Sequence, residues 1–175
     1  VSLERMEGGI NVHRSGYDLT FSAPKSVSVL IALYGENRLL EAWNRAVSET
    51  LKEVESLVSS RVMKEGETET QLTQKAVIAT FNHDTSRNLD PQLHTHALFL
   101  NMTPTESGWR TLASGTVRKD GFIEAVYANQ LALGQIQLNL LRRQVEAMGY
   151  ETVDTGKNGL WEIKGVPVDI FSTRS

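Results

Sequence analysis

A strand with histidines at alternate positions is the feature that most narrows what this chain can become. Leu93 to Met102 reads as a β-strand, apolar toward its far end, with His94 and His96 two residues apart near its start. Successive side chains on a strand point to opposite faces, so both imidazoles lie on one face. Lys75 to Phe81 reads as the preceding strand, and the polar loop from Asp84 to Pro91 separates the two. If they pair as an antiparallel hairpin, His83, at the end of the first strand, is delivered beside the other two. Three of the chain's four histidines then converge. A lone histidine would read as an ordinary surface or core residue. Three neutral imidazoles together could hold one divalent cation and leave positions open for water or substrate, as catalytic metal sites do.

Composition narrows the options further. The chain has 175 residues and no cysteine, so any transition metal must be held by histidine and carboxylate. That is compatible with a reducing, cytoplasmic setting. No apolar run approaches the ~18 residues of a membrane span, and no signal-peptide pattern opens the chain. A hydrophobic fraction of 40% and a charged fraction of 22% describe one ordinary globular domain. The net charge of −3 argues mildly against nucleic-acid binding. It is a weak veto, since a local positive groove or a bound cation can outweigh distant acidic groups. Val1 and Ser175 are expected to be the ends of a fragment, with an N-terminal segment and a C-terminal continuation missing.

The remaining pattern predicts an α+β fold. Val1 to Ser15 reads as a lead-in loop and Tyr17 to Phe21 as a strand, with Asp18 and Thr20 on its polar face. A helix starts near Ser22-Ala23-Pro24 and runs through Leu33. Asn37 caps a longer helix, where Leu40, Trp43, Val47, Leu51, Val54 and Val58 recur at helical spacing. Arg61 to Met63 is a short strand with a turn at Lys64 to Glu67. A turn near Gly108 precedes Trp109 to Thr111. Phe122 to Met148 is a long amphipathic helix ended by Gly149, and Tyr150 to Ile163 forms a hairpin. The sum is mostly antiparallel strands with long helices laid on one face.

Several other residues are candidates. Asp18 could accept the second ring N–H of a metal-bound histidine or take a proton from a nucleophile, or it could simply face water. Arg14, Lys25, Arg87, Arg110, Arg118 and Lys119 could line a path for phosphates, and Gln130 could read a base edge. His13 reads as a loop residue, and Trp43 as core.

The runs Tyr17-Asp18-Leu19-Thr20-Phe21-Ser22-Ala23-Pro24-Lys25-Ser26-Val27-Ser28, Phe81 to Arg87 and Asp90 to His96 are long and ordered. Together they resemble the relaxase domain of conjugative plasmids, in the TraI and TrwC group of HUH endonucleases. The likeness continues through Gly121 to Glu124, Val126 to Gln130 and Gly149 to Thr152. It implies a palm-like sheet crossed by single-stranded DNA, with His83, His94 and His96 as the metal triad and Asp18 as the assisting carboxylate. It also implies strand-specific nicking at a plasmid origin of transfer, through a 5′-phosphotyrosyl link. Mg or Mn is the ion family practice suggests, while imidazole ligands also suit Zn, Ni or Co. Relaxosome accessory proteins and a type IV secretion coupling protein are the implied partners, in the bacterial cytoplasm and without membrane insertion.

The sequence departs from the family in one respect. The family's nucleophilic tyrosines lie near the N-terminus, upstream of the Asp18 strand, and none stands there here. Tyr17, Tyr34, Tyr127 and Tyr150 do not look placed to attack at the triad, so residues 1–175 alone are expected not to nick. Two alternatives stay open: a non-catalytic, metal-stabilised module for single-stranded DNA, and an unrelated histidine-metal hydrolase. The second is disfavoured because no histidine follows His96.

Overall fold

The computed structural model describes residues 4–7, 10–87, 89–114, 120–156 and 158–169. The chain is α+β. Strands β1 (Glu4–Glu7), β2 (Ile10–His13) and β3 (Gly16–Ser22) lead into helices α1 (Lys25–Tyr34) and α2 (Asn37–Ser56). Then come β4 (Ser59–Lys64), β5 (Glu67–Leu72), β6 (Ile78–Thr85), β7 (Pro91–Leu100), β8 (Thr103–Thr105) and β9 (Gly108–Arg110). Helix α3 (Phe122–Ala147) and strands β10 (Thr152–Asp154) and β11 (Trp161–Ile163) complete the described elements. β3, β7 and β6 form a three-stranded sheet in that order, and the other strands pair as antiparallel hairpins.

The chain gathers into two compact units. The first holds residues 1–19, 52–79 and 97–130. Its interior includes Phe99 against Phe122, ring centroids 5.5 Å apart. Gly16 fits here because a Cβ would stand 2.5 Å from the Phe99 carbonyl oxygen. The second unit holds residues 20–51, 80–96 and 131–175. Its interior includes Trp43 and Trp161, both almost wholly buried, and the Trp161 indole N–H donates to the Leu138 carbonyl at 3.1 Å.

Several expectations need correction. The lead-in loop is a hairpin in its described parts, with Glu4 opposite His13 and Glu7 opposite Ile10. Four-residue strands are too short to announce a period; Gly8 and Gly9 lie outside the described residues. β5 was not expected at all. Its sequence, Glu-Thr-Glu-Thr-Gln-Leu, has no apolar face, and backbone pairing with β4 makes it a strand. Glu65 and Gly66 both take positive φ between them (53° and 86°), the twist a tight hairpin turn needs. β6 begins three residues later than predicted and runs on to Thr85, so His83 sits inside the strand rather than at its end. Helix α2 buries Leu39 fully, while Leu40, the residue expected inside, is only half-buried.

Pro24 is the N-cap of α1, and its side chain cannot accept a bond from the first turn. Glu162 on β11 does so instead. Its carboxylate accepts from the N–H groups of Lys25 (3.1 Å) and Ser26 (2.7 Å) and from the Ser26 hydroxyl. Ser26 Oγ in turn accepts from Ile163 N–H at 2.7 Å. These bonds satisfy helix-end donors that α1 cannot satisfy itself. Glu162→Ala should therefore destabilise the protein by about 2 kcal/mol in chemical denaturation, with Glu162→Gln recovering part of the loss. A loss below about 0.5 kcal/mol would show that water caps α1 equally well.

Candidate functional site

The predicted triad belongs to the second unit. Along β7, Leu93 and Thr95 are buried while Gln92, His94 and His96 are half-exposed on the other face. β6 and β7 are sheet neighbours, and their connection closes through Ser86 N–H to the Asp90 carbonyl at 2.9 Å. A connection this short joins antiparallel neighbours. His83 is thereby brought to the other two. Ring centroids stand 5.1 Å apart for His83 and His94, 5.2 Å for His83 and His96, and 5.3 Å for His94 and His96.

That triangle is nearly equilateral. Nitrogens holding one ion at about 2.1 Å and tetrahedral angles place their ring centres roughly 5.2 Å apart, so the spacing fits a shared ion. The ring orientations do not yet fit. His83 and His94 lie stacked at 27°, and among the described residues no three His, Cys, Asp or Glu side chains stand as a ready ligand set. The spacing carries more weight, because the backbone fixes it whereas a ring turns about a soft terminal torsion.

The donor atoms agree with this. His94 Nδ1 lies 2.9 Å from the Gln92 carbonyl oxygen, which can only accept. Nδ1 therefore carries the proton and Nε2 keeps its lone pair for an ion or a substrate proton. His96 Nδ1 bonds Thr20 Oγ1 at 3.2 Å. The three rings line a cavity of about 700 Å³ whose other walls include Thr20, Ser22, Arg87 and Gln92, and among the described residues no Asp or Glu lines it. In a chain of net charge −3, the described ionisable groups lining this space are three imidazoles and one guanidinium. Such a lining suits an anionic oxygen.

Arg14, Asp18 and Gln130 share a different cavity, of about 370 Å³, in the first unit. Tyr17, Phe122 and Tyr127 also line it. The Arg14 guanidinium sits 5.4 Å from the centre of the Tyr17 ring, a cation–π distance. Asp18 is exposed on β3, in alternation with Thr20 and Ser22. Lys25 occupies the first turn of α1, and Arg110 is exposed on β9 opposite Thr103. Arg118 and Lys119 lie outside the described residues.

Sequence reasoning missed Thr20, Gln92 and Thr95. A threonine predicted to face inward between two histidines was the available signal, because a buried hydroxyl needs a partner.

None of the four tyrosines lines the histidine cavity. Tyr34 and Tyr127 are 74% and 69% exposed, and Tyr17 belongs to the other cavity. The Tyr150 hydroxyl donates to Glu36 at 2.9 Å, and burial, followed by that bond, holds its pKa above the ordinary value.

The TrwC relaxase family matches residues 3–175. The chain belongs to that family. The multifunctional conjugation protein TraI of Escherichia coli (strain K12) is 56% identical over 173 residues, which is 99% of this chain and 10% of TraI. The metal-bound structure of the conjugative relaxase TrwC with oriT DNA matches with a TM-score of 0.84 and 33% identity. That match covers 96% of this chain and 56% of the TrwC chain. A copper-bound TrwC complex with oriT DNA matches at 0.83 and 34%, over 95% of this chain and 54% of that one. The chain thus spans about a tenth of its curated relatives and just over half of the TrwC chains. No helix among the described residues is long and apolar enough to cross a membrane.

Proposed function

We propose that this chain is the metal- and DNA-binding part of a conjugative relaxase, an enzyme that nicks single-stranded DNA at a plasmid origin of transfer. The observation that carries the reading is the near-equilateral histidine triangle in a cavity with no carboxylate among its described lining residues. The reaction exchanges one phosphodiester for another. The tyrosine hydroxyl gives up its proton as its oxygen bonds to phosphorus, the bond from phosphorus to the 3′ oxygen breaks, and that oxygen takes up a proton to leave as a hydroxyl. The stored phosphotyrosyl bond lets the joining step run backward without ATP. His83, His94 and His96 hold a divalent ion, Mg or Mn in use, with Zn, Ni or Co also suited to imidazole. An ion held there supplies Lewis-acid polarisation of the scissile phosphate.

The chain's own residues have separate tasks. The Gln92 carbonyl holds His94 in the tautomer that presents Nε2. Arg87 offers a planar fork to phosphate oxygens. Asp18, two residues before Thr20 on the same exposed alternation of β3, assists as a proton acceptor or as a partner of a ring N–H. In the first unit, Arg14, Tyr17, Tyr127 and Gln130 stack on and hydrogen-bond to a base. Lys25, Arg110, Arg118 and Lys119 serve the phosphate path. The family match runs through both units, which supports reading residues 1–175 as one relaxase domain. Relaxosome accessory proteins and a type IV coupling protein are the expected protein partners, in the bacterial cytoplasm.

Fluorescence anisotropy with oligonucleotides from the plasmid's own transfer origin tests the DNA-binding part. Single strands should bind tighter than the matching duplex, with affinity falling steeply as salt rises. Arg87→Ala should flatten the log–log salt slope by about 0.7, the value of one phosphate contact. Equal affinity for duplex, or a slope untouched by Arg87→Ala, would contradict this assignment of the cavity.

A further inference from the structure

The face of the sheet opposite the histidines carries a chain of hydrogen bonds whose function is not yet assigned. Trp43 on α2 is fully buried, and its indole N–H donates to Thr95 Oγ1 at 2.8 Å. Thr95, itself 2% exposed, donates its single hydroxyl proton to Asn82 Oδ1 at 2.6 Å. Asn82 Nδ2 then donates to Asn44 Oδ1 at 2.8 Å, which returns the chain to α2. All the bonds run in one direction, so each group polarises the next.

The placement of the links matters more than their number. Thr95 stands between His94 and His96, and Asn82 immediately precedes His83. The bond between Thr95 and Asn82 therefore ties together the two strand positions from which all three imidazoles project. A one-residue slip of β6 along β7 would carry His83 to the wrong face. β6 gains little register control from burial, because seven of its eight residues are exposed and no apolar face anchors it.

We infer that the Trp43–Thr95–Asn82–Asn44 chain is the positioning device of the histidine triad, setting metal affinity from the face of the sheet opposite the imidazoles. This rests on the metal reading above. Trp43, Thr95, Asn82 and Asn44 are positioning residues, acting only through the backbone beneath His83, His94 and His96. Packing alone would not require it. Val or Leu at position 95 would bury more apolar surface, yet the buried indole N–H would then lack an acceptor.

A matched pair of substitutions separates positioning from general stability. Trp43→Phe and Trp161→Phe each remove a buried indole and its one hydrogen bond, and both residues belong to the second unit. Co²⁺ titration of the protein, followed by the visible absorption of the bound ion, gives affinity and coordination geometry together. Trp43→Phe should weaken Co²⁺ binding about ten-fold and alter the band, with Trp161→Phe close to wild type in both. Thr95→Val should repeat the Trp43→Phe result and Thr95→Ser should restore it, so the outcome does not hang on one variant folding. Asn82→Ala provides a third break in the chain.

If wild type binds Co²⁺ and His94→Ala does not, while Trp43→Phe and Thr95→Val both match wild type, the positioning role is overturned and the metal site survives. Equal weakening by Trp161→Phe would likewise reduce the network to general stability. If His94→Ala binds as well as wild type, the metal reading fails and takes this inference with it.

Discussion

His94→Ala should abolish stoichiometric metal binding. In a relaxase containing this chain it should lower nicking on the order of a thousand-fold. His94 is one corner of a triangle whose sides are all within 0.2 Å of one another (5.1, 5.2 and 5.3 Å). Removing it leaves two imidazoles, and the other described lining groups of the cavity are hydroxyls, an amide and Arg87, with no carboxylate among them to take its place. Loss of polarisation at the phosphate costs several kcal/mol of transition-state stabilisation, and about 4 kcal/mol is three orders of magnitude in rate. The substitution itself is mild for the fold, since His94 lies half-exposed on the open face. Metal analysis after dialysis, a denaturation curve and a cleavage assay on the transfer-origin strand separate these effects. A variant that keeps its metal and its nicking rate would remove the triad from the mechanism.

Residues 1–175 alone, given Mn²⁺ and that same strand, should form no protein–DNA adduct that survives denaturation. A tyrosine is a poor nucleophile at its ordinary pKa of about 10 and must be activated in place. None of the four here has that placement. Tyr34 and Tyr127 are largely exposed, Tyr17 and Tyr127 line the cavity of the first unit, and none of the three lines the histidine cavity. Tyr150 is held against Glu36, whose carboxylate sits at about 2 under the bonds from Arg38 and Tyr150. Burial and that partner push Tyr150 further from ionisation. DNA binding without covalent capture is the expected phenotype. An adduct mapped by mass spectrometry to any of these tyrosines would overturn this reading of their placement.

Much of the histidine site was legible because it depends on local rules. Alternation along Leu93 to Met102 was enough to put His94 and His96 on one face, and the short polar loop was enough to fold His83 back toward them. The start of β6 was read three residues early, yet the conclusion stood, because His83 needed only to lie on the strand opposite β7. The grouping of Arg14, Asp18 and Gln130 was not legible. Their cavity joins β3 to the first turns of α3, a separation of more than a hundred residues that no periodicity reports. β5 was invisible because hydrogen bonds to β4, rather than an apolar face, make it a strand. The role of Trp43 stayed hidden for a related reason. Its spacing in α2 marked it as core, which is correct, but the partner of its N–H lies 52 residues away.

The central claim is that His83, His94 and His96 close on a single ion. Anomalous diffraction from crystals equilibrated with Mn²⁺ tests it most directly. The account predicts one strong peak about 2.1 to 2.3 Å from a nitrogen of each of the three rings, with the Nδ1 of His94 still turned toward the Gln92 carbonyl. A peak bound elsewhere, or His83 and His94 left stacked with no density between the three rings at saturating Mn²⁺, would contradict it.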